Sequence, residues 1–263
     1  MGTTAKALKL LDLFSASRPE IGLSDFARLA GRDKATTHRH LAELAELGFV
    51  EQARRSKLYR LGPAVLRLAN IREQTFPQKR AAARYIADLV EAVQETVHVT
   101  SLLRQVLTPI QNQHSLHHTT RVYIDPSEVL PLHATASGCA VMAFSPPVLL
   151  AKVLETPLPS KTSETTIDPV AVQQKVAAAA KAGFAYSVGE FEIGVSSIAA
   201  PLFGENDECA GAIAVVCPTV RMTDALDLKI RTNLAKAAHS ISLSWGGRVP
   251  AALVAIWDAQ FES

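Results

Sequence analysis

Apolar residues recur at helical spacing near the start of the chain. Leu8, Leu11 and Phe14 lie three residues apart, which predicts an amphipathic helix from Lys6 to about Ala16. A polar run that contains a proline follows this stretch and ends the pattern.

Two further helices are predicted by the residues that precede them. Ser24 stands before a short apolar stretch at 25–30, and Asp33 stands before a longer one at 34–47. Side-chain oxygens of such residues accept hydrogen bonds from the free N–H groups of a first helical turn. We therefore expect Ser24 and Asp33 to be the N-caps of these helices.

A short hairpin is predicted after the third helix. The segments 49–52 and 58–61 have strand-like composition and flank a polar tip at 53–57. Helices followed by a basic hairpin are the layout of a winged helix-turn-helix, in which the third helix enters the major groove of DNA. Pro63 then suits the first turn of a fourth helix, which we expect to end near Thr75.

The remainder of the chain mixes strand-like and helix-like patterns, which predicts an α+β fold. Pro109 places one strand at an edge or a bulge, because proline cannot donate to a strand ladder. Predicted helices lie at about 78–96, 168–183 and 223–245, and predicted strands at 97–101, 106–112, 184–188, 197–202 and 210–217.

The composition is that of a globular protein. The 263 residues are 48% hydrophobic and 20% charged, which argues against a disordered chain. No apolar run approaches the roughly 18 residues of a membrane helix, and the first residues lack an apolar signal core. Three cysteines form no disulfide framework. We expect a soluble, cytoplasmic protein with no membrane partner.

Charge is unevenly distributed along the chain. Residues 1–80 contain 15 Lys and Arg against 8 Asp and Glu, a balance of +7, whereas residues 81–263 contain 12 against 17, a balance of −5. A basic first part favours a polyanionic partner, and a winged helix-turn-helix makes that partner double-stranded DNA. The expected DNA contacts are Lys34, Thr36, Thr37, Arg39, His40, Arg54, Arg55 and Lys57.

Short motifs occur in the same order along both halves of the chain. The first half contains Thr36-Thr37-His38-Arg39-His40-Leu41, Gly48-Phe49-Val50 and Tyr59-Arg60-Leu61-Gly62. The second half contains Leu130-Pro131-Leu132-His133-Ala134-Thr135-Ala136-Ser137-Gly138, Gly194-Val195-Ser196-Ser197-Ile198-Ala199-Ala200-Pro201 and Arg221-Met222-Thr223. Together these motifs resemble those of the IclR family of bacterial transcriptional regulators. His40 and Cys139 depart from the resemblance, since the family usually has Leu and Lys there.

The resemblance implies a winged helix-turn-helix joined by a linker helix to a GAF-like, effector-binding domain. We expect the DNA-binding domain at 1–62, the linker helix at 63–77, the effector domain at 78–248 and a C-terminal tail at 249–263. The tail is apolar, and it is either an oligomer contact or a packed terminus. One winged helix covers too few base pairs for a specific site, so we expect a homodimer or homotetramer on a pseudo-palindromic operator. No cofactor is implied.

The resemblance also implies a cavity for a small effector. The matching positions are Ala136, Ser137, Gly138, Ser187, Ser197, Ala214 and Val216. Free N–H groups at a helix start favour an anion such as a carboxylate. Relatives that bind small polar acids have more polar residues at the positions of Ser187, Ala214 and Val216. We therefore expect a larger organic acid, aromatic or medium-chain.

A second hypothesis is a small-molecule enzyme or a metal sensor. His114, His117 and His118 lie within five residues, and zinc sites use histidines at short spacing. Cys139 lies at a predicted helix start, where the pKa of a thiol falls and its reactivity rises. The chain has no phosphate-binding loop and no GxGxxG motif, so nucleotide chemistry has no support.

Overall fold

The structure, a computed structural model, describes residues 2–75, 77–125 and 128–261. The chain divides into two compact units, residues 1–77 and residues 78–263.

The first unit is a small helical domain with a two-stranded sheet. Its elements are α1 (Thr3–Leu8), α2 (Leu23–Ala30), α3 (Lys34–Glu46), β1 (Val50–Gln52), β2 (Tyr59–Leu61) and α4 (Pro63–Thr75), with a 3-10 turn at Leu11–Leu13. The strands are antiparallel and form the predicted hairpin. The core consists of Leu10, Ile21, Phe26, Leu41, Leu44, Val50 and Tyr59.

The first helix is shorter than its apolar spacing indicates. Lys9 N donates to Ala5 O, four residues back, but Leu10 N donates to Ala7 O, only three residues back. The chain tightens at this point, and Leu10, 1% exposed, turns into the core. The prediction of one helix from Lys6 to Ala16 is therefore wrong.

The two predicted helix caps have different outcomes. Asp33 caps α3 as predicted, because its side chain accepts from the N–H three residues on at 2.8 Å. Ser24 does not cap α2, which begins after Gly22 without a side-chain cap. Two backbone hydrogen bonds hold Ile21 to Tyr59, so the chain turns into the helix directly after this contact.

The second unit is an antiparallel sheet with helices on both faces, which confirms the predicted α+β class. Its elements are α5 (Gln78–Val93), β3 (Thr96–Leu103), β4 (Val106–Gln113), α6 (Ala136–Phe144), α7 (Pro147–Leu154), α8 (Pro169–Ala182), β5 (Ala185–Val188), β6 (Val195–Phe203), β7 (Cys209–Pro218), α9 (Asp224–Ser244) and α10 (Ala251–Phe261). The strand order is β4-β3-β7-β6-β5. Pro109 lies on the edge strand β4 beside a register shift, as predicted.

Side chains alternate between the two faces of the sheet. Ile213 and Val215 of β7 pack with α5 and α9, whereas Ala212 and Ala214 pack with α6. Alanine side chains on the second face allow α6 to approach the strands closely. The first turn of α6 therefore lies against the sheet, where the cavity described below is found.

The C-terminal residues pack onto the same unit. Trp257, 3% exposed, donates from Nε1 to Gly183 O at 3.0 Å, and its ring stacks on Phe184 with the centroids 5.7 Å apart. Glu262 and Ser263, the end of the predicted tail, lie outside the described residues. Among the helices described, none is long and apolar enough to cross a membrane.

Candidate functional site

The helix α3 has one buried face and one face open to solvent. Leu41 and Leu44 are buried in the core of the first unit, whereas Lys34 and Arg39 are exposed and Thr36 is half-buried. The turn between α2 and α3 is tight because Gly31 adopts a left-handed conformation with φ of 61°. The open face of α3 is thus free to meet a partner.

Two of the predicted DNA contacts are wrong. Thr37 is fully buried, and its Oγ1 donates to Asp33 O at 2.8 Å. His40 is 1% exposed, and neither ring nitrogen has a hydrogen-bond partner in the structure as described. Positions 37, 40, 41 and 44 share one face of a helix, so both side chains point into the core beside Leu41 and Leu44.

The hairpin tip presents three exposed cations. Arg54, Arg55 and Lys57 are all exposed, and Lys57 has a left-handed backbone with φ of 60°. Gln52 Nε2 donates to Lys57 O at 2.8 Å, which fixes the turn at the base of the tip. These three residues lie at the tip of the hairpin, as the sequence predicts.

The second unit contains a cavity of about 230 Å³. Ligand-binding cavities usually measure roughly 300–1,000 Å³, so this one suits a single-ring or short-chain compound. It is lined by His98, Val122, Tyr123, Ile124, Asp125, Glu128, Leu130, Thr135, Ala136, Ser137, Ser187, Phe191, Glu192, Val195, Ser197 and Val216.

Two serines and a valine form one row across the cavity's sheet face. Ser187 on β5 pairs with Ser197 on β6, which pairs with Val216 on β7. Ser187 is only 6% exposed. Its hydroxyl has no hydrogen-bond partner among the described residues. The hydroxyl is therefore open to a polar ligand in the cavity.

The first turn of α6 contributes backbone donors to the cavity. The N–H groups of Ala136 and Ser137 belong to the first helical turn and so have no partner within the helix. Gly138 differs, because its N–H donates to the capping Thr135 Oγ1 at 3.0 Å. A side chain at Gly138 would meet Leu132 O at 2.3 Å. The prediction that Gly138 lines the cavity is therefore wrong.

Ala214 also lies outside the cavity. It pairs with Ala199 and His98, one row further along the strands than Val216. Ala214 itself is fully buried in the apolar cluster that includes α6, and it does not line the cavity. The prediction that Ala214 contacts an effector is wrong for this reason.

The sequence prediction missed His98, which is 6% exposed and lines the cavity. Burial lowers the pKa of His98 to about 4, so the imidazole is neutral at pH 7. Its Nε2 lies 3.1 Å from Ser137 Oγ, and its Nδ1 has no partner in the described structure. A buried N–H without a partner is rarer than an unpaired acceptor, which favours the proton on Nε2. Ser137 then accepts from His98 and keeps its own proton for a ligand.

Acidic residues line the more exposed end of the cavity. Glu192 is exposed, and Asp125 and Glu128 are partly exposed. Lys161 Nζ lies 3.2 Å from Glu128 Oε1 and 5.2 Å from the ring centre of Phe191. The sequence prediction missed these residues too, because the loops that carry them have no regular pattern.

The histidine cluster does not form a metal site in the described structure. His114 stacks on Tyr123, with ring centroids 5.9 Å apart. His118 Nε2 lies 3.8 Å from Glu95 Oε1, and both carboxylate oxygens of Glu95 accept from Arg221 at 2.6 Å. Within residues 2–75, 77–125 and 128–261, no three His, Cys, Asp or Glu side chains are arranged to hold a metal ion.

Cys139 is poorly suited to nucleophilic chemistry. It is 2% exposed and packs in the apolar cluster between α6 and the sheet. Burial raises the pKa of the Cys139 thiol to about 11, which is the opposite of the lowering expected at a helix start. The thiol is therefore protonated and inaccessible at neutral pH.

Both units match family models. Residues 3–54 match the model of the IclR helix-turn-helix domain, and residues 74–243 match the model of the bacterial transcriptional regulator IclR C-terminal domain.

Individual relatives match over nearly their full length. The transcriptional repressor IclR of Escherichia coli (strain K12) is 27% identical, over 92% of this chain and 89% of its own. The regulator BhcR of Paracoccus denitrificans is 28% identical, over 92% of this chain and 87% of its own.

Solved structures share the fold. An IclR transcriptional regulator from Silicibacter sp. TM1040 is 42% identical, with a TM-score of 0.90 over 95% of this chain and 98% of that one. An IclR homolog from Microbacterium hydrocarbonoxydans, complexed with 4-hydroxybenzoate, is 23% identical. Its TM-score is 0.74, over 93% of this chain and 99% of that one.

Proposed function

Since this chain belongs to the IclR family of bacterial transcriptional regulators, we propose that it binds a pseudo-palindromic operator and that a small organic acid controls this binding. DNA binding resides in residues 1–62 and effector binding in residues 78–248, with residues 63–77 as the linker. The protein acts in the cytoplasm, on the DNA, as a homodimer or homotetramer.

The observation that carries the DNA proposal is the exposed arginine on the open face of α3. Arg39 is long enough to reach a base edge, where arginine binds guanine O6 and N7 with two hydrogen bonds. Lys34 and Thr36 lie nearer the start of the same helix and contact phosphates. The hairpin-tip cations Arg54, Arg55 and Lys57 bind the backbone or the minor groove.

Substitution separates base-reading residues from phosphate-binding residues. Arg39→Ala should lower operator affinity by about 1–3 kcal/mol and relax the sequence preference. Arg54→Ala and Lys57→Ala should weaken binding to all sequences. Each should also reduce the slope of log affinity against log salt concentration by about one. The measurement is fluorescence anisotropy with the DNA upstream of the protein's own gene, from 50 to 200 mM salt.

The control for this series is Arg248→Ala, which removes an exposed arginine of the second unit. We expect it to leave operator affinity unchanged. Full operator selectivity in the Arg39→Ala protein would contradict the base-reading role of Arg39.

Three features of the cavity support an organic acid as effector. Among the described residues, the N–H groups of Ala136 and Ser137 and the hydroxyl of Ser187 are donors without partners, which suits a carboxylate. Apolar side chains such as Val216 and Phe191 cover the rest of the wall and suit a ring or a short alkyl chain. The 4-hydroxybenzoate complex of the Microbacterium homolog provides a precedent for an aromatic acid in this fold.

Effector binding is tested by thermal unfolding with benzoate and hexanoate as probes. Both should raise the melting temperature of the full chain and change its operator affinity, whereas glyoxylate and pyruvate should do neither. Ser187→Ala should weaken the binding of both probes, by about 0.5–1.5 kcal/mol for one lost hydrogen bond. Val216→Ser should shift the preference towards the small acids. A larger thermal shift with glyoxylate than with benzoate or hexanoate would refute the choice of effector class.

A further inference from the structure

His98 and Ser137 form a buried polar pair in the wall of the cavity. His98 lies on β3 and is 6% exposed, whereas Ser137 lies in the first turn of α6 and is 1% exposed, and both line the cavity. His98 Nε2 lies 3.1 Å from Ser137 Oγ. Among the described residues, His98 is the only hydrogen-bond partner of this hydroxyl. The pair therefore joins the sheet to the turn of α6 at which we propose that the acid group binds.

The tautomer of His98 decides what the Ser137 hydroxyl offers to a ligand. A hydroxyl has one proton and two acceptor positions, so it can either donate or accept. Burial lowers the pKa of His98 to about 4, so only one ring nitrogen carries a proton at pH 7. A proton on Nδ1 would leave a buried N–H without a partner in the described structure, and Ser137 would have to donate its only proton to Nε2. A proton on Nε2 avoids this cost, and the proton of Ser137 then stays free.

The neighbouring hydroxyl at the start of α6 is already used. Thr135 Oγ1 donates to Pro131 O at 3.0 Å and accepts from the N–H of Gly138 at 3.0 Å. Its proton is therefore committed to the protein. Ser137 is in the opposite situation, because its acceptor side is occupied by His98 and its donor side is open to the cavity.

We infer that His98 is a positioning residue that determines effector specificity, because it holds the Ser137 hydroxyl as a donor and so selects an ionised acid over the corresponding neutral amide. The inference rests on the proposed function, since the group that receives the proton of Ser137 is the carboxylate of the effector. A carboxylate offers only acceptors, whereas the NH₂ group of an amide offers only donors. An amide NH₂ placed against Ser137 therefore faces another donor.

The test is a double-mutant cycle with benzoate and benzamide, titrated calorimetrically into the full chain. Ser137→Ala should weaken benzoate binding by about two- to tenfold, as for one lost hydrogen bond, and it keeps the backbone N–H. His98→Leu should weaken benzoate binding by about threefold, because a hydroxyl with three staggered positions is no longer held in one. Benzamide should not lose affinity in His98→Leu, since the released hydroxyl can turn and accept from its NH₂ group. In the Ser137→Ala background, His98→Leu should have no further effect on benzoate binding.

Two more variants separate positioning from a merely structural role. Thr100 is fully buried on the same face of β3, exchanges hydrogen bonds with the backbone of Ala212, and does not line the cavity. Thr100→Val should therefore leave the preference for benzoate over benzamide unchanged. His98→Gln places an amide nitrogen as many bonds from Cα as Nε2 is, so it should recover benzoate affinity that His98→Leu loses.

Nitrogen-15 NMR of the native protein reads the tautomer directly and needs no ligand. We expect a neutral ring with the proton on Nε2. A proton on Nδ1, additive losses in the double variant, or an unchanged benzoate preference in His98→Leu would overturn the role of His98 and leave an acid effector intact. Failure of both benzoate and hexanoate to bind the native protein would overturn the proposed effector class and this inference together.

Discussion

His98 links the stability of the effector unit to pH. The unfolded chain has an ordinary histidine pKa near 6.5, whereas burial lowers the pKa of His98 to about 4 in the folded chain. Below pH 6.5 the unfolded state therefore binds a proton that the folded state excludes, and folding stability falls as the pH falls. Above pH 6.5 this proton does not reduce the free energy of unfolding, and at pH 4 it has lowered that free energy by about 3 kcal/mol.

In NMR spectra of the folded protein, we expect the imidazole of His98 not to titrate between pH 7.5 and 5.5. His98→Gln has no titrating ring, so urea denaturation of this variant should show a smaller loss of stability between pH 7 and pH 5 than the native protein. A His98 resonance with a midpoint near 6.5 would contradict the buried, neutral imidazole.

His40 is a destabilising residue in the core of the first unit. Both of its ring nitrogens are buried without a partner in the described structure, and an unsatisfied buried polar group costs about 1–3 kcal/mol. His40→Leu should therefore raise the melting temperature of this unit, and operator affinity should not change because the side chain faces inward. Arg39→Leu, at the exposed neighbouring position, is the matched control and should not stabilise. Loss of operator affinity in His40→Leu would restore His40 as a DNA contact.

The errors at single residues have a common physical origin. Thr37 and His40 occupy positions of α3 that face the core. Their polar side chains suggest the open face only when residue type is considered before the position on the helix. His98 shows the reverse case, since a polar residue in a buried strand indicates a cavity or a hydrogen bond rather than solvent. Neither outcome can be decided without the packing of the neighbouring elements.

Helices and strands were more predictable than single residues where their signals are local. Asp168 caps α8 and Gly183 ends it in a left-handed conformation, and Thr223 caps α9, all as expected from residue type. The first helix was not predictable, because its end is set by burial of Leu10 in contacts with residues distant in sequence. The acidic loops around the cavity escaped prediction because they have no regular pattern.

The helix α10 stabilises the second unit through one large side chain. Trp257 is buried against Phe184 and donates to Gly183 O, while Gln260 Nε2 donates to Ala182 O at 2.7 Å. Trp257→Ala should lower the free energy of unfolding by about 3–5 kcal/mol, as large-to-small core substitutions do. Urea denaturation measures this loss, with the exposed Leu243→Ala as the control. A change below about 1 kcal/mol would show that α10 contributes little to this unit.

At the scale of the whole molecule, α4 is the most apparent candidate for subunit contact. Its Leu66, Leu68 and Ile71 are 66%, 41% and 47% exposed, beside the exposed Ala69 and the half-buried Val65. Exposed apolar side chains on a helix favour association with a second copy of the chain. Such a seam would also supply the two-fold symmetry that a pseudo-palindromic operator requires.

Leu66→Glu should therefore shift the protein towards monomers at micromolar concentration, as measured by analytical ultracentrifugation. Operator affinity should fall as the protein becomes monomeric, because one winged helix alone covers too small a site. Leu116→Glu changes a leucine that is 88% exposed in the second unit and should have neither effect. A native protein that sediments as a monomer would contradict the dimeric proposal.

The close approach of Gly138 to the backbone of Leu132 limits how this protein can be re-engineered. Any larger residue at position 138 would displace the start of α6 and with it the two backbone donors beside the cavity. Libraries selected for a new inducer should therefore recover changes at Ser187, Val216 or Glu192 but retain glycine at position 138. Ligand preference can evolve through these side chains, while the backbone donors that we propose for the acid group stay constant.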